Sequence, residues 1–452
     1  MTASPPTSGD RGPKTDRMPE EPRNGRRTSD AGPRQRAGAE RPRVALVHDW
    51  LTGMRGGEKV LDAIAEAYPD ATIHTLLHVK GSVSQALERH PGRQSFVQWL
   101  PGAARHYRRY LPLFPTAIEQ FDFDAYDLVI STSHCAAKSV VVPGRATHIC
   151  YCHSPMRYAW DQFDSYFGPA QVGPWPSRLL RPVLARLARW DRDTAGRVDR
   201  YVANSHYVAG RIRRYYNRGS TVVFPPVDTT FYRPEPAAGP EPFLLAVSAL
   251  VPYKRLDVAI RAAAAVRTPL TIVGRGPEEA RLRAVAASAG GDVTFTGWLD
   301  DEQIRDLYRR CRAAVMPGVE DFGMVPVEAQ ACGRPVVALG EGGAIDSVVD
   351  GVTGILVKDG SVDAFAGAFR DVATRDFDSA AIRRHAESFS RERFQREFQA
   401  VVDDAGSDRE SRSAQPDPRE VSPRRSDKPT GVSNAARYRQ HRDNLAARED
   451  KL

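Results

Sequence analysis

Short apolar segments recur along this chain, separated by glycine turns and helix-length stretches, and they fall into two series with a proline-rich break between them. The first series is 43–48, 72–75, 127–131, 147–152, 200–203 and 221–224. The second is 243–248, 270–273, 293–295, 312–316, 335–338 and 354–357. Alternation of this kind predicts parallel strands covered by helices on both faces. The break at 234–240 reads as a linker from its proline and glycine content. The expected fold class is therefore α/β, with two doubly wound Rossmann-like domains in tandem. Ligands of such sheets bind outside the carboxyl ends of the strands, and two such edges facing each other make a cleft.

At 452 residues the chain has room for two ordinary domains and two flanks. The expected divisions are a disordered tail over 1–42, a first domain over 43–240, a second over 241–388, a helix over 389–405 and a disordered tail over 406–452. Both flanks are rich in Pro, Gly, Ser, Arg and Glu and nearly free of bulky apolar side chains. They carry about +3 each of the net +8, which leaves the body near +2, so the basic balance gives no reason to expect nucleic acid. Five cysteines in apolar contexts suit a reducing compartment without a disulfide framework. No apolar signal core is visible, and no run approaches the roughly eighteen residues a membrane span needs, so a cytoplasmic protein is expected. Two basic stretches are candidates for peripheral contact with an anionic membrane at its inner face: 99–115, and 178–192, where four leucines interleave with five arginines. The plainer reading of both is packed helices with solvated faces.

The stretch 315–339 carries the clearest site. A strand stops at Pro317-Gly318, and Glu320 and Glu328 follow with seven residues between them. The segment 321–324 reads as a loop with bare backbone at Gly323, and a helix is expected from Val325 with Pro326 in its first turn. The unpaired N–H groups and positive dipole end of that turn suit an anionic or hydroxyl-rich ligand. Acidic residues favour helix starts for stability alone, but Glu328 sits among Ala329, Ala331, Cys332 and Gly333, small residues of a buried helix where a carboxylate needs a partner. Lys254 and Arg255 lie just past the strand 243–248, where cations suit a diphosphate and are disfavoured as mere helix-start residues. Gly56-Gly57 reads as a loop after the first strand, either a tight turn or a place where amides approach a phosphate. Gly274-Arg275-Gly276-Pro277 reads as a tight turn. Strand alternation separates His153 from His148, Cys150 and Cys152, and Asp122-Phe123-Asp124 precedes a strand rather than ending one, so no metal is expected. Arg157, Tyr158, Trp160 and Asp161 form an aromatic and polar segment that could hold an acceptor sugar.

Read as E-D-F-G-x-x-x-x-E-A-x-A-x-G-x-P-V-V-A, the stretch 320–338 resembles the nucleotide-sugar site of retaining glycosyltransferases of family 4, which have the GT-B fold, and the resemblance extends over roughly 43–405. Segments 153–161 and 251–255 are similar to those of bacterial mannosyltransferases of surface-polysaccharide synthesis. The resemblance implies that Lys254 contacts the donor diphosphate, Glu328 bonds the ribose, and Glu320 with Asp321, Phe322, Gly323 and Met324 holds the donor sugar. It puts Gly56 and Gly57 near the donor phosphates, Gly274 and Gly276 near the nucleotide, and His153 beside the reacting sugar. His153, Lys254 and Glu320 are then the catalytic candidates, Arg157, Tyr158 and Trp160 the acceptor side, and the last helix crosses back onto the first domain. The family's arginine five residues before the lysine is replaced by Ala249, with Arg255 a candidate to take over its charge. The nucleotide-sugar is a substrate, so no cofactor is implied.

The implied reaction moves a hexose, mannose from GDP-mannose first, to a lipid-linked or oligosaccharide acceptor by front-side substitution. Three rivals stay open. One is a sugar phosphatase or epimerase on the same fold, and the second uses a UDP-sugar and a soluble sugar-phosphate acceptor. The third is a non-catalytic binding or scaffold protein, favoured by Ala249 and opposed by the intact Lys254, Glu320 and Glu328.

Overall fold

The computed structural model describes residues 42–235 and 239–413. Two wholly parallel sheets organise them. The first contains β1 (Val44–His48), β2 (Thr72–Thr75), β3 (Gly92–Gln94), β4 (Leu128–Ser133), β5 (Thr147–Cys152), β6 (Arg200–Ala203) and β7 (Thr221–Val222). Its order is β3-β2-β1-β4-β5-β6-β7. The second contains β8 (Leu244–Val247), β9 (Leu270–Val273), β10 (Val293–Gly297), β11 (Ala313–Met316), β12 (Val336–Leu339) and β13 (Gly354–Val357), in the order β10-β9-β8-β11-β12-β13. Both orders reverse direction once, between β1 and β4 and between β8 and β11, and ligands of open α/β sheets gather at such reversals.

The central strands are buried on both faces, which is why they read as continuous apolar runs. In β1, Ala45 and Val47 join a layer with Leu76 and Phe114, while Val44 and Leu46 join the opposite layer with Ile64 and Phe394. The helix Arg391–Ser413 follows the second sheet in the chain but packs on the first. Phe394 and Phe398 stack on each other at 5.7 Å and meet Tyr151 of β5 at 5.7 and 6.2 Å. Tyr68 donates to Gln399 Oε1 at 3.0 Å, and Arg391 pairs with Asp62 and Glu66 at 2.8 and 2.9 Å.

Several expectations need correction. β3 is an edge strand of Gly, Arg and Gln with no apolar residue, so hydrophobic pattern cannot reveal it. The segment 221–224 is a strand only at Thr221–Val222, although the Val223 N–H still bonds the Ala203 carbonyl at 3.0 Å; Pro225 and Pro226, without N–H groups, carry the ladder no further. Gly56 and Gly57 are the first residues of the helix Gly56–Ala65 rather than a loop before it, and Glu58 accepts the N–H of Arg55 at 3.1 Å. The final helix continues eight residues beyond 405, where Asp408 contacts Arg200 of β6. The rest of both expected tails, 1–41 and 414–452, and residues 236–238 of the expected linker lie outside the described residues.

Candidate active site

At the reversal of the first sheet, the residue after β1 gathers the residues after β4. Asp49 has no exposed surface. Its Oδ2 accepts the amides of His134 and Cys135 at 2.7 and 2.9 Å, and its Oδ1 those of Ala136 and Ala137 at 2.6 and 2.8 Å. The His134 ring stands against the same carboxylate, Nδ1 to Oδ2 at 3.1 Å. Next to it, His48 Nδ1 meets Thr132 Oγ1 at 2.6 Å and its Nε2 lies 3.9 Å from Glu58. His153, just past β5, keeps a buried Nε2 without a hydrogen-bond partner. Burial, reinforced by His134, His48 and Arg157, holds its ring well below the ordinary histidine value, so it is neutral. A Cβ on Gly57 would lie 3.5 Å from both His153 Nε2 and His48 Cε1, so any larger residue fills the space above the two rings.

At the reversal of the second sheet, Lys254 follows β8 and Glu320 follows β11, and their side chains form an ion pair. Gly318 permits that meeting, since a Cβ there would collide with the backbone of Tyr253 and Lys254. Burial, then the Arg157 cation, pull the Lys254 ammonium down to about 7, while Asp321 opposes the shift. The Glu320 carboxylate in contact with it also favours the charged form. Glu328 is buried on the helix Met324–Ala331, where it accepts from Tyr308 at 3.3 Å and from Lys59 at 3.2 Å. A buried carboxylate needs such partners.

Several contacts join the two sheets' edges. Lys59, from the helix Gly56–Ala65, reaches Glu328, whose charge raises the lysine's pKa. Arg157 pairs with Asp321 and lies 5.8 Å from the Tyr253 ring. Ser205 donates its hydroxyl to the Asp321 carbonyl. Met324 reaches across as well, and a Cβ on Gly56 would stand 3.2 Å from its sulfur.

These contacts set His153 beside Gly57, Met324 beside Gly56 and Lys254 against Glu320, and tie Glu328 to the first sheet's helix through Lys59. Other expected site residues are placed differently. Arg255 turns away in a left-handed conformation (φ 52°), its guanidinium 3.4 Å from the Gly360 carbonyl, so it does not stand in for the charge missing at Ala249. Phe322 is buried against Phe224 and Phe389, both at 5.7 Å, and Asp321 is engaged by Arg157. Tyr158 turns inward to Cys135 Sγ at 2.7 Å, and Trp160 donates to Asp191 at 2.7 Å and stacks on Tyr215 at 4.6 Å. Gly274 and Gly276 press against the carbonyls of Ser248 and Leu250, a packing role. Among the described residues, no group of three or more His, Cys, Asp or Glu side chains is arranged to hold a metal ion.

Asp49, His134, His48 and Lys59 were not legible as site residues. The sequence signal that could have found the first is a polar pair, His48-Asp49, ending an otherwise apolar strand. Lys59 yields a direct test. Lys59→Met is expected to cost about 1–3 kcal/mol, since it removes a charged hydrogen bond to a buried carboxylate. Urea unfolding of Lys59→Met, Glu328→Gln and the double variant should show the second change costing much less after the first. Fully additive costs would mean the two residues do not support each other.

Two family descriptions match the chain: Glycosyltransferase Family 4 over residues 54–231 and Glycosyl transferases group 1 over residues 228–389. The chain is 35% identical over 224 residues to a D-inositol 3-phosphate glycosyltransferase of Rhodococcus erythropolis, covering 42% of this chain and 50% of the relative. It is 36% identical over 173 residues to a GDP-mannose-dependent alpha-(1-6)-phosphatidylinositol monomannoside mannosyltransferase of Mycolicibacterium smegmatis, covering 33% of this chain and 45% of the relative. The chain thus spans about half the length of the curated relatives it matches. Among solved structures, Anabaena HepE in complex with UDP and glucose superposes with a TM-score of 0.60 at 19% identity, over 80% of this chain and 100% of that one. A lipopolysaccharide outer core galactosyltransferase in its apo form gives 0.57 at 16% identity, over 80% and 99%. Likeness at that identity speaks to the fold alone.

Proposed function

We propose, from the premise that this chain belongs to glycosyltransferase family 4 and has the GT-B fold, that it moves a hexose from a nucleoside diphosphate sugar to an acceptor hydroxyl. Mannose from GDP-mannose is the donor of choice, and the acceptor is a lipid-linked sugar or oligosaccharide of surface-polysaccharide synthesis. The observation that carries this reading is the Lys254–Glu320 pair at the reversal of the second sheet, with Glu328 buried on the helix that follows. As the bond from the anomeric carbon to the diphosphate breaks, its electron pair leaves with the diphosphate and Lys254 neutralises the growing charge. Glu320 and His153 position the sugar, and Glu328 exchanges Lys59 for the ribose hydroxyls. The chemistry is retaining and independent of metal in this reading.

The GDP-mannose-dependent relatives favour mannose. The lipid-linked acceptor is supported by the basic stretches, where Trp99 and Leu179 are 82% and 71% exposed beside exposed arginines such as Arg105 and Arg178. Leu184 and Leu187 of the second stretch are buried, so packing accounts for only part of it. No helix among the described residues is long and apolar enough to cross a membrane, and attachment would be peripheral, at the cytoplasmic face. The inositol-phosphate relatives favour a second reading with a soluble sugar-phosphate acceptor. Failure to bind anionic vesicles would favour that one.

A thermal-shift series with GDP, UDP, ADP and their sugar conjugates, with and without EDTA, tests the donor. A ligand at a hundredfold over its dissociation constant adds about 2.7 kcal/mol to the folded state. A rise with GDP or GDP-mannose that EDTA leaves unchanged is expected. A rise with UDP or ADP alone keeps the fold and discards mannose, and no rise with any of them moves the weight to a scaffold protein.

A further inference from the structure

Asp321 is buried, and its backbone is fixed on two sides. Its carbonyl accepts the Ser205 hydroxyl, and a Cβ on Gly343 would collide with that carbonyl and with the Phe322 backbone. The cation that answers its carboxylate is Arg157, past β5 of the first sheet. Arginines that only support the fold of this chain are held by hydrogen bonds of their own. Arg383, with 20% of its side chain exposed, donates to the carbonyls of Tyr232, Ala331 and Thr229 at 2.6, 2.9 and 2.7 Å. Arg157, with 24% exposed, donates to no backbone carbonyl among the described residues. It meets Asp321 as a charge, and Asp321 Oδ2 has no aligned hydrogen bond. A guanidinium has five N–H groups, so donors are left over.

Those donors lie beside Lys254. The Arg157 guanidinium is 5.8 Å and the Lys254 ammonium 5.3 Å from the centre of the same Tyr253 ring. Burial first, and then Arg157, draws the lysine down to about 7, which agrees with two cations held close together. A flat fork beside a point charge is a donor set suited to a phosphate. The position of Arg157 also says which phosphate. Glu328, the residue proposed to bond the ribose, is reached by Lys59 instead. Arg157 lies on the side of His153, where its charge adds to burial, His134 and His48 in keeping that ring neutral. His153 is the residue proposed to position the sugar.

Resting on the glycosyl-transfer reading, we propose that Arg157 is the second cation of the donor site, binding the phosphate that carries the sugar from the first sheet as Lys254 does from the second. It brings the charge that Ala249 lacks and that Arg255, turned toward Gly360, does not supply. As the bond from the anomeric carbon breaks, its electron pair stays on the oxygen of that phosphate, where two cations meet it. Arg157 therefore belongs to the donor rather than to the acceptor side, and Asp321 holds its guanidinium in place until the donor arrives.

Calorimetric titrations of the full chain with GDP and GMP, and with UDP and UMP, test this in the wild type, in Asp321→Asn, and in the double variant Arg157→Met with Asp321→Asn. The base that the wild type prefers supplies the comparison. Removing both charges together leaves no buried carboxylate unpaired. Against Asp321→Asn alone, the double variant should lose about tenfold to a hundredfold in affinity for the diphosphate, the range for a hydrogen bond to a charged group, and stay within about threefold for the monophosphate. Unchanged affinity for the diphosphate would overturn the proposal and reduce Arg157 to a partner of Asp321. An equal loss for diphosphate and monophosphate would overturn it too, making Arg157 a support of the nucleotide pocket. Should the double variant fail to fold, Arg157→Lys decides, since it keeps a cation beside Asp321 but has no fork. Weaker diphosphate binding with the monophosphate unchanged supports the contact; no loss, or the same loss for both, overturns it. A wild type that binds neither diphosphate more tightly than its monophosphate sinks the glycosyl-transfer reading itself, before any variant is compared.

Discussion

Lys254→Met is expected to lower donor turnover by about a hundredfold to a thousandfold, the usual cost of removing one preorganised group that meets charge developing in a transition state. Two features set that expectation. The ammonium lies in the loop after β8, on the side where the proposed diphosphate would bind, and its present partner is Glu320, the residue proposed to hold the donor sugar. Steady-state rates of GDP release measure the loss, with the thermal shift reporting whether the variant still folds. A pH dependence accompanies it. Burial and the Arg157 cation pull the free lysine down to about 7. A bound diphosphate returns it to the charged form, so its pKa is higher in the complex than in the free protein and binding takes up a proton. Affinity for GDP is then greatest below about pH 7 and falls as the pH rises from 7 toward 9. Calorimetric titrations across that range should show the fall in the wild type and a much flatter line in Lys254→Met. A flat wild-type profile would show that Lys254 does not change charge on binding.

Phe394→Ala is expected to cost about 3–5 kcal/mol, the range for deleting a buried aromatic ring. Phe394 is wholly buried, and its ring stacks on Phe398 and meets Tyr151 edge-on. Removing it opens a cavity between the final helix and the first sheet, which the rigid strand beneath cannot close. Urea unfolding of Phe394→Ala beside the exposed control Leu179→Ala, expected within about 0.5 kcal/mol of wild type, measures the difference. A loss below 1 kcal/mol for Phe394→Ala would mean that the helix Arg391–Ser413 is not part of the cooperative unit.

The two sheets were legible because burial on both faces writes each central strand as an apolar run, while β3, with Gly, Arg and Gln at an edge, writes nothing. Lys254, Glu320 and Glu328 were legible because charge at a strand end, or on a helix of small residues, is anomalous by itself. Asp49 and His134 were not, since they meet only because β1 lies beside β4, and 85 residues separate them. Lys59 resembles any solvated helix lysine until the partner helix that carries Glu328 is in place. Tyr158 and Trp160 erred in the other direction. Their ring pattern suited a sugar, but their polar atoms answer to Cys135 and Asp191, which strand pairing and the helix Pro174–Asp193 bring alongside.

The final helix bears on how this protein could be recombined with its relatives. The chain passes from the first layer to the second and later returns, and the two passages touch, with the Val227 N–H donating to the Phe389 carbonyl at 2.9 Å. The half built on the second sheet is therefore an insertion within the half built on the first rather than a module joined at one seam. A chimaera cut once near 240 would pair a host's first sheet with a foreign Phe394 and Phe398. A graft with two cuts, replacing the residues between the passages and leaving 391–413 native, would keep each core with the residues that evolved to fill it.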